Sequence, residues 1–186
     1  MNEENLLSKD DNSLKKIDLV NILKNEFKES ILDYHSHRGD TTVIINRDSL
    51  EPVCNFLKKD PSCLFEIMMD LTAVDRLEMG LKPRFEMVYH FKSLSHSRRL
   101  RLKALLPDDD FKISSINHLW KAVDWYEREC YDMFGIHFEG HPDLRRILMY
   151  NEFEGHPLRK DYPIDKQQPL EALKQVDERH IYGRNS

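Results

Sequence analysis

The sequence predicts an α+β fold: a mixed, largely antiparallel sheet with helices packed on it, followed by an extended C-terminal region. Apolar runs with the spacing of strands are joined by short polar turns, which favour antiparallel pairing. Apolar residues at helical spacing precede and follow these runs, and beyond residue 135 the chain is rich in Gly, His and Pro without strong periodicity. We therefore divide it into a polar tail (1–12), an α+β domain (13–135), and docking loops with a C-terminal tail (136–186).

The first predicted element is an amphipathic helix, which Asn12 and Ser13 can cap. Its apolar residues recur every three or four positions: Leu14, Ile17, Val20, Leu23 and Phe27. The runs 31–34 and 41–46 then predict a β-hairpin around the polar segment HSHRGD. We interpret its RGD triplet as turn chemistry, because Gly and Asp tolerate tight backbone angles.

A second helix and a buried strand are predicted next. Asp48 and Glu51 form a plausible capping box for a helix that runs to about Lys59. The nearly all-apolar run 64–69 predicts a central strand that is covered on both faces. We expect it to lead into a loop, DLTAVDR.

The runs 85–91 and 99–105 bracket the turn SLSHS and predict another pair of strands. In the second run, Arg99, Arg101 and Lys103 alternate with apolar residues at the strand period. We expect this basic face to be wet or to meet acidic groups, as a solvated or partner-facing strand edge.

Charge and cysteine usage exclude several classes of protein. The 28 basic and 33 acidic residues nearly cancel, so no overall field favours nucleic acid or an anionic membrane. The apolar runs are far shorter than the roughly 20 residues of a transmembrane helix, and the start of the chain predicts a bacterial-type protein on the cytoplasmic side. Cys54, Cys63 and Cys130 share no CxxC spacing, so neither a disulfide framework, a zinc cage nor a four-thiolate cluster is expected.

A third helix, beginning near Leu119, combines an apolar stripe with ionic groups on several faces. The stripe consists of Leu119, Val123, Tyr126, Cys130 and Met133. Asp124, Arg128 and Asp132 follow one another at the i,i+4 spacing of helical ion pairs, so we expect Arg128 to pair with one of the two acids. Glu127 and Glu129 point elsewhere, which indicates more than one packing partner.

The segment after this helix repeats a pattern. EGHPDLR (139–145) and EGHPLRK (154–160) each place Gly before His-Pro, with Arg following. Such loops hold charges rigidly, and charge-assisted pairs are strong only when desolvated. We interpret this part of the chain as a docking surface that also braces its own helix.

The run ERECYDMFGIHFEGHPDLRRIL resembles the signature of one family of complex I (NADH:quinone oxidoreductase), its C subunits, known in mitochondria as the thirty-kilodalton (30 kDa) subunit. The matching residues are Glu127, Arg128, Glu129, Asp132, Met133, Phe134, His141, Arg145, Ile147 and Leu148. Trp125-Tyr126, EGHPLRKDYP and DLTAVDR also look like the family. After Pro163 the chain departs from the longer tail of many members.

The resemblance implies a cofactor-free structural subunit of the hydrophilic arm, packed against subunits D and B and peripheral on the cytoplasmic side of the bacterial inner membrane. NADH, FMN, iron-sulfur clusters and quinone are then bound by other subunits, and neither a catalytic nor a metal residue is expected. The residues expected at interfaces are Glu127, Arg128, Glu129, Asp132, Phe134, His141, Arg145, Arg146, His156, Arg159, Lys160 and Asp161. The same family implies an alternative, a subunit of a membrane-bound hydrogenase or of a dehydrogenase with another electron donor.

Two alternatives come from the residues themselves. His137, His141 and His156 with Cys130 would suit a metal site, but their spacing puts no pair on one helical face. A soluble acid-base enzyme would use Glu127, Glu129 and His141. We disfavour it because neighbouring arginines can neutralise these acids. We expect Arg145, Arg146, Arg159 and Lys160 to meet acidic groups on the loops or on subunits D and B.

Overall fold

The computed structural model describes residues 19–168, which contain a five-stranded sheet, a small two-stranded sheet and three helices. Helix α1 covers residues 19–26 of the described part. The remaining elements are β1 (Ile31–His37), β2 (Asp40–Asn46), α2 (Leu50–Lys59), β3 (Ile67–Asp75), β4 (Phe85–Ser93), β5 (Arg98–Leu106), β6 (Lys112–Ser114), α3 (Val123–Phe134) and β7 (His137–Glu139).

The main sheet has the order β1-β2-β5-β4-β3. Strands β2 and β5 pair in parallel, and the other three neighbouring pairs are antiparallel. The predicted mixed, largely antiparallel α+β fold is therefore confirmed. Among residues 19–168, no helix is long and apolar enough to span a bilayer.

Strand β5 shows why this sheet has one buried and one polar face. Its alternate residues Leu100, Leu102, Ala104 and Leu106 are buried in the core. On the opposite face, Lys103 Nζ lies 2.7 Å from a carboxylate oxygen of Glu86 and Arg101 lies 3.9 Å from Asp40. The predicted alternation and its acidic partners are confirmed. The expectation of a strand edge is wrong, because β5 lies in the middle of the sheet.

The prediction for residues 64–76 is also wrong. Strand β3 is an edge strand, and it includes most of the segment expected to be a loop. Within it Leu71, Ala73 and Asp75 are buried at the strand period. Phe65 is buried before the strand begins, where its carbonyl accepts a hydrogen bond of 3.2 Å from the indole of Trp120. The apolar run thus reflects loop packing followed by a half-exposed strand, which apolar content alone does not separate.

The hairpin β1–β2 is confirmed, with a two-residue turn at Arg38 and Gly39. Both residues have positive φ, 49° and 89°, as tight hairpin turns require. The capping box of α2 is not formed. A 3-10 turn precedes the helix, and the side chain of Asn46 accepts the N–H of Asp48 there, while Ser49 occupies the cap position of α2 without a side-chain bond.

The helices pack on one face of the sheet around a single apolar core. Leu19, Val20 and Leu23 of α1 are buried, which confirms an amphipathic helix over its described part. Its predicted caps and the residues Leu14 and Ile17 lie outside the described residues. Burial of each large apolar side chain contributes about 1.5–3 kcal/mol relative to exposure. Strand β7 pairs in parallel with β6, and the chain then returns to the end of α3. The division at residue 135 stays a prediction.

A candidate docking region around helix α3

Helix α3 lies against β3 through the predicted apolar stripe. Val123, Cys130 and Met133 are buried, as is Leu119 in the turn before the helix, and Tyr126 is half-buried. The helix ends at Gly135, whose left-handed backbone (φ 72°) lets its N–H donate to the carbonyl of Tyr131. Two carboxylates of this helix, Glu127 and Asp132, have no solvent exposure. Such acids need partners inside the protein.

Asp132 binds the loop that follows β7. Its two oxygens accept the N–H groups of Ile147, Leu148 and Met149 at 2.8–3.1 Å and a guanidinium N–H of Arg146 at 2.7 Å. Burial by itself would raise the pKa of Asp132, but these four donors together hold it below its ordinary value. Asp132 is thus an ionised anchor for residues 146–149.

Arg128 binds the same loop from its carbonyl side. It donates to the carbonyl oxygens of Arg145 and Arg146, each at 3.2 Å. The predicted pairing of Arg128 with Asp124 or Asp132 is therefore wrong. Asp132 is already occupied by loop amides, and a guanidinium has several donors that suit neighbouring carbonyls. The acid and the base thus hold opposite sides of one backbone segment.

Glu127 lies deeper, between α3 and the chain after β6. It accepts hydrogen bonds from the Ser115 hydroxyl at 2.6 Å and from the Ile116 amide at 2.9 Å. Burial raises the pKa of Glu127 to about 7, against the opposing effect of these two donors. The imidazole Nε2 of His141 is 3.9 Å from Glu127 and 3.2 Å from Asp124.

Of the three residues of the alternative acid-base site, only Glu127 and His141 lie close together. They lie 3.9 Å apart, and both side chains are fully buried. Glu129 is exposed on another side of α3. Within residues 19–168, no group of three or more His, Cys, Asp or Glu side chains is arranged to hold a metal ion. All three cysteines lie in this part of the chain, are buried and form no disulfide.

The second EGHP loop binds the last turn of α3. The Nδ1 of His156 donates to the carbonyl of Asp132 at 2.9 Å, the amide of Leu158 to Met133 at 3.1 Å, and Nε of Arg159 to Phe134 at 2.6 Å. The last carbonyls of a helix have no hydrogen-bond donor within the helix, so donors from this loop take that place. The guanidinium of Arg159 lies over the rings of Phe85 and Phe111. The expectation that it meets an acidic group on the loops or on subunits D and B stays a prediction.

A third attachment joins the loop to the sheet. Arg84 forms two hydrogen bonds with Asp75 and two with Asp161, all at 2.7–2.9 Å. The amide of Lys160 also donates to Asp75 at 2.9 Å. Sequence reasoning did not predict Asp75 or Arg84 as members of this region. Asp75 lies in the segment DLTAVDR, which was used only for its resemblance to the family. The separation of 85 residues between Asp75 and Lys160 left no local signal.

The remaining predicted residues lie at the surface of this region or, like Phe134, in the apolar core. Arg145 pairs with Asp143 at 2.9 Å, and both are exposed. Lys160 Nζ lies 3.7 Å from Glu78. Arg146 also donates to the carbonyl of Gly155. Phe134 is buried and its ring lies 6.5 Å from that of Phe85. Most of the predicted set thus surrounds the C-terminal half of α3.

Comparison with known proteins identifies the family. The sequence model described as "Respiratory-chain NADH dehydrogenase, 30 Kd subunit" matches residues 43–168, more than half of the chain. The chain belongs to this family. The C subunit of the NADH-quinone oxidoreductase of Geobacter sulfurreducens is 46% identical over 142 residues, covering 76% of this chain and 86% of that protein. The corresponding protein of Acidithiobacillus ferrooxidans is 40% identical over 146 residues, covering 76% of this chain and 72% of that protein.

Two solved structures have folds similar to that of this chain. The trypsin-resistant fragment (1–134) of Nqo5 superposes with a TM-score of 0.60 at 28% identity, covering 68% of this chain and 98% of that chain. A chain of an archaeal respiratory membrane complex, the membrane-bound sulfane sulfur reductase, superposes with a TM-score of 0.68 at 20% identity, covering 92% of this chain and 94% of that chain. The second likeness shows the fold alone. The resemblance of the signature to the 30 kDa subunit family is thereby confirmed.

Proposed function

We propose that this chain is the cofactor-free structural subunit of the hydrophilic arm of a proton-translocating NADH:quinone oxidoreductase. In this role it docks against subunits D and B on the cytoplasmic side of the bacterial inner membrane. It supports electron transfer from NADH through FMN and iron-sulfur clusters to quinone, with every one of those groups bound by other subunits.

The proposal rests on the contacts that the charged residues of the signature make within the chain. Asp132, Arg128 and Arg146 bind the backbone or one another at the end of α3, and Glu127 binds the chain after β6. Groups held in this way brace loops, whereas a catalytic acid or base needs access to a substrate. The loops are therefore pre-shaped, which lowers the ordering cost of binding another protein.

Exposed members of the predicted set are the natural contacts to partner subunits. Glu129 lies on the outward side of α3, Arg145 on the first loop and Lys160 on the second. Asp132, which is buried, and His156, which is half-buried, act in this proposal by holding those loops in place.

The test deletes the gene and restores it with a tagged full-length copy. Loss of the assembled complex on native gels, together with loss of NADH:quinone activity in membranes, is expected, and the tagged copy restores both. The purified chain should contain no flavin or iron and should not oxidise NADH. An assembled, active complex in the deletion strain contradicts the proposal.

The same purification separates the alternative within the family. NADH- and flavin-binding subunits should accompany the tagged chain from solubilised membranes. Recovery of hydrogenase subunits in their place would assign the chain to a membrane-bound hydrogenase. The identity of 40–46% to NADH-quinone oxidoreductase subunits favours the first outcome.

A further inference from the structure

A groove lies between the outward side of α3 and the loop that Asp132 and Arg128 hold. Its volume is about 510 Å³, and its apolar lining comes from Trp125 and Tyr126 on the helix and from Ile147 and Leu148 on the loop. Trp125 is 70% exposed and Leu148 57% exposed. Large apolar side chains that meet across a preformed concavity gain free energy when another surface removes them from water.

The two walls of this groove, here called the α3 groove, are held in fixed positions. The amides of Ile147 and Leu148 bind the buried carboxylate of Asp132, and Arg128 binds the carbonyls just before them. Trp125 stands one helical turn before Arg128 on the same helix. A partner therefore meets an ordered surface, and aromatic anchors in ordered pockets are typical binding hot spots.

The charge around the groove selects the occupant. Two carboxylates, Asp124 and Glu129, and one ammonium group, Lys121, line it. One oxygen of Asp124 is buried, and the imidazole Nε2 of His141 lies 3.2 Å from the Asp124 carboxylate. A second copy of the same groove would bring like charges together, which costs free energy. A segment that carries a lysine or arginine complements the excess of carboxylates.

We infer that the α3 groove is a docking surface for a partner subunit, which fills it with an apolar segment carrying a lysine or arginine. The inference rests on the proposed function, because a subunit of a multisubunit enzyme has neighbouring polypeptides that cover part of its surface. Trp125 and Leu148 are the anchors, and Glu129 meets the basic residue.

The first test compares Trp125→Ala with Leu94→Ala in tagged full-length chains expressed in place of the native one. Leu94 lies in the β4–β5 turn, outside the α3 groove. Like Trp125 it is an exposed large apolar side chain, with 55% of its surface exposed against 70%. Recovery of complex subunits per tagged chain should fall about tenfold or more for Trp125→Ala. It should stay at the wild-type level for Leu94→Ala. Circular dichroism of the purified chains checks that both variants fold.

A photo-crosslinking residue at position 148 identifies the occupant. The expected product joins this chain to another subunit through a peptide that contains a lysine or arginine. A crosslink to a second copy, to residues 1–18 or 169–186 of the same chain, or to nothing overturns the inference.

The charges are tested with two residues that line the groove, Glu129 on α3 and Lys121 just before the helix. Glu129→Lys should lower the recovery of partner subunits, and Lys121→Glu should not. Equal effects of the two changes would contradict the basic character of the occupant.

The two proposals fail in different ways. If the wild-type chain brings down no quinone-reducing or iron-sulfur subunits, both are wrong. If it does so and Trp125→Ala recovers them equally well, the docking surface alone is wrong.

Discussion

Glu127 and Asp132 are both fully buried on α3, yet their environments differ in the number of donors. Asp132 receives four hydrogen bonds, three of them from consecutive amides, and stays ionised. Glu127 receives two, and burial raises its pKa to about 7. A carboxylate is kept charged in a protein interior only when donors replace the water it has lost.

Glu127→Gln should change how stability depends on pH. The pKa of Glu127 in the folded chain, about 7, is above its ordinary value of 4.5, so between these values the folded chain holds a proton that the unfolded chain has released. Wild-type stability therefore falls as the pH rises through this window. Relative to Glu127→Gln, the loss should reach at most about 3 kcal/mol by pH 8.

Urea unfolding of both chains at pH 5, 6, 7 and 8 measures this difference directly. Glu129→Gln is the control, because that residue is exposed on the same helix and should follow the wild type. Parallel curves for Glu127→Gln and the wild type would show that Glu127 does not take up the proton. His141 and Asp124, which face the same site, remain in all three chains.

Asp132→Asn should cost about 3 kcal/mol or more, because it removes the charge from a site of four converging donors. An amide also turns N–H groups toward the amides of 147–149. Hydrogen exchange of these three amides should speed up together with the loss in unfolding free energy. Asp143→Asn is the control, since its pair with Arg145 is solvent-exposed and contributes little. Unchanged exchange at 147–149 would be incompatible with an anchoring role.

At the scale of elements, a loop distant in the sequence supplies the hydrogen-bond donors for the end of α3. Residues 156–159 bind the carbonyls of residues 132–134, and the missing side chain of Gly135 leaves room for the side chains of His156 and Arg159. A Cβ at Gly135 would meet the side chain of Arg159 and would lie 2.5–2.6 Å from the ring of His156. The helix end and the second EGHP loop therefore form one packing unit.

Gly135→Ala tests this unit. It should destabilise the chain by more than Gly80→Ala, because both glycines have positive φ but a Cβ at Gly80 meets nothing within 4 Å. Backbone strain alone is worth about 1–2 kcal/mol, and displacement of His156 and Arg159 adds to it at position 135. Thermal unfolding of the two variants gives the comparison. Equal losses would mean that the loop is not packed against Gly135.

Arg84 links the same loop to the β3–β4 end of the sheet. Arg84→Gln should leave the buried carboxylate of Asp75 without its cation and should release the segment around Asp161. Trypsin cleavage after Lys160 should then become about tenfold faster or more. Arg99→Gln, on the exposed face of β5, is the control. Asp161→Asn should have a smaller effect, because that side chain is 51% exposed.

At the scale of the whole molecule, folding and assembly should respond to different residues. Arg145→Ala should leave the unfolding temperature of the purified chain nearly unchanged, since the side chain is 69% exposed. The same variant should lower the abundance of the assembled complex in membranes, which native gels with an activity stain measure. Normal abundance and full activity would remove Arg145 from the docking surface.

Much of the fold was predictable because its signals are local. The hairpin turn at Gly39, the strand period of β5 and the apolar stripe of α3 each need only a few neighbouring residues. The edge position of β3 was not predictable, since an apolar run does not reveal which elements cover it. The site was predicted as a set of residues, but not with its partners: Arg128 at helical spacing from Asp132 binds loop carbonyls instead.

The sequence by itself determined the family and the alternation of buried and exposed positions, because both are written in residue types at short spacing. The tertiary structure decided which charges meet. Asp75 binds Arg84 and the amide of Lys160, and Asp132 binds amides fifteen to seventeen residues away. A buried charge is stabilised by whichever donors the fold brings to it, and chain segments far apart in the sequence supply most of them.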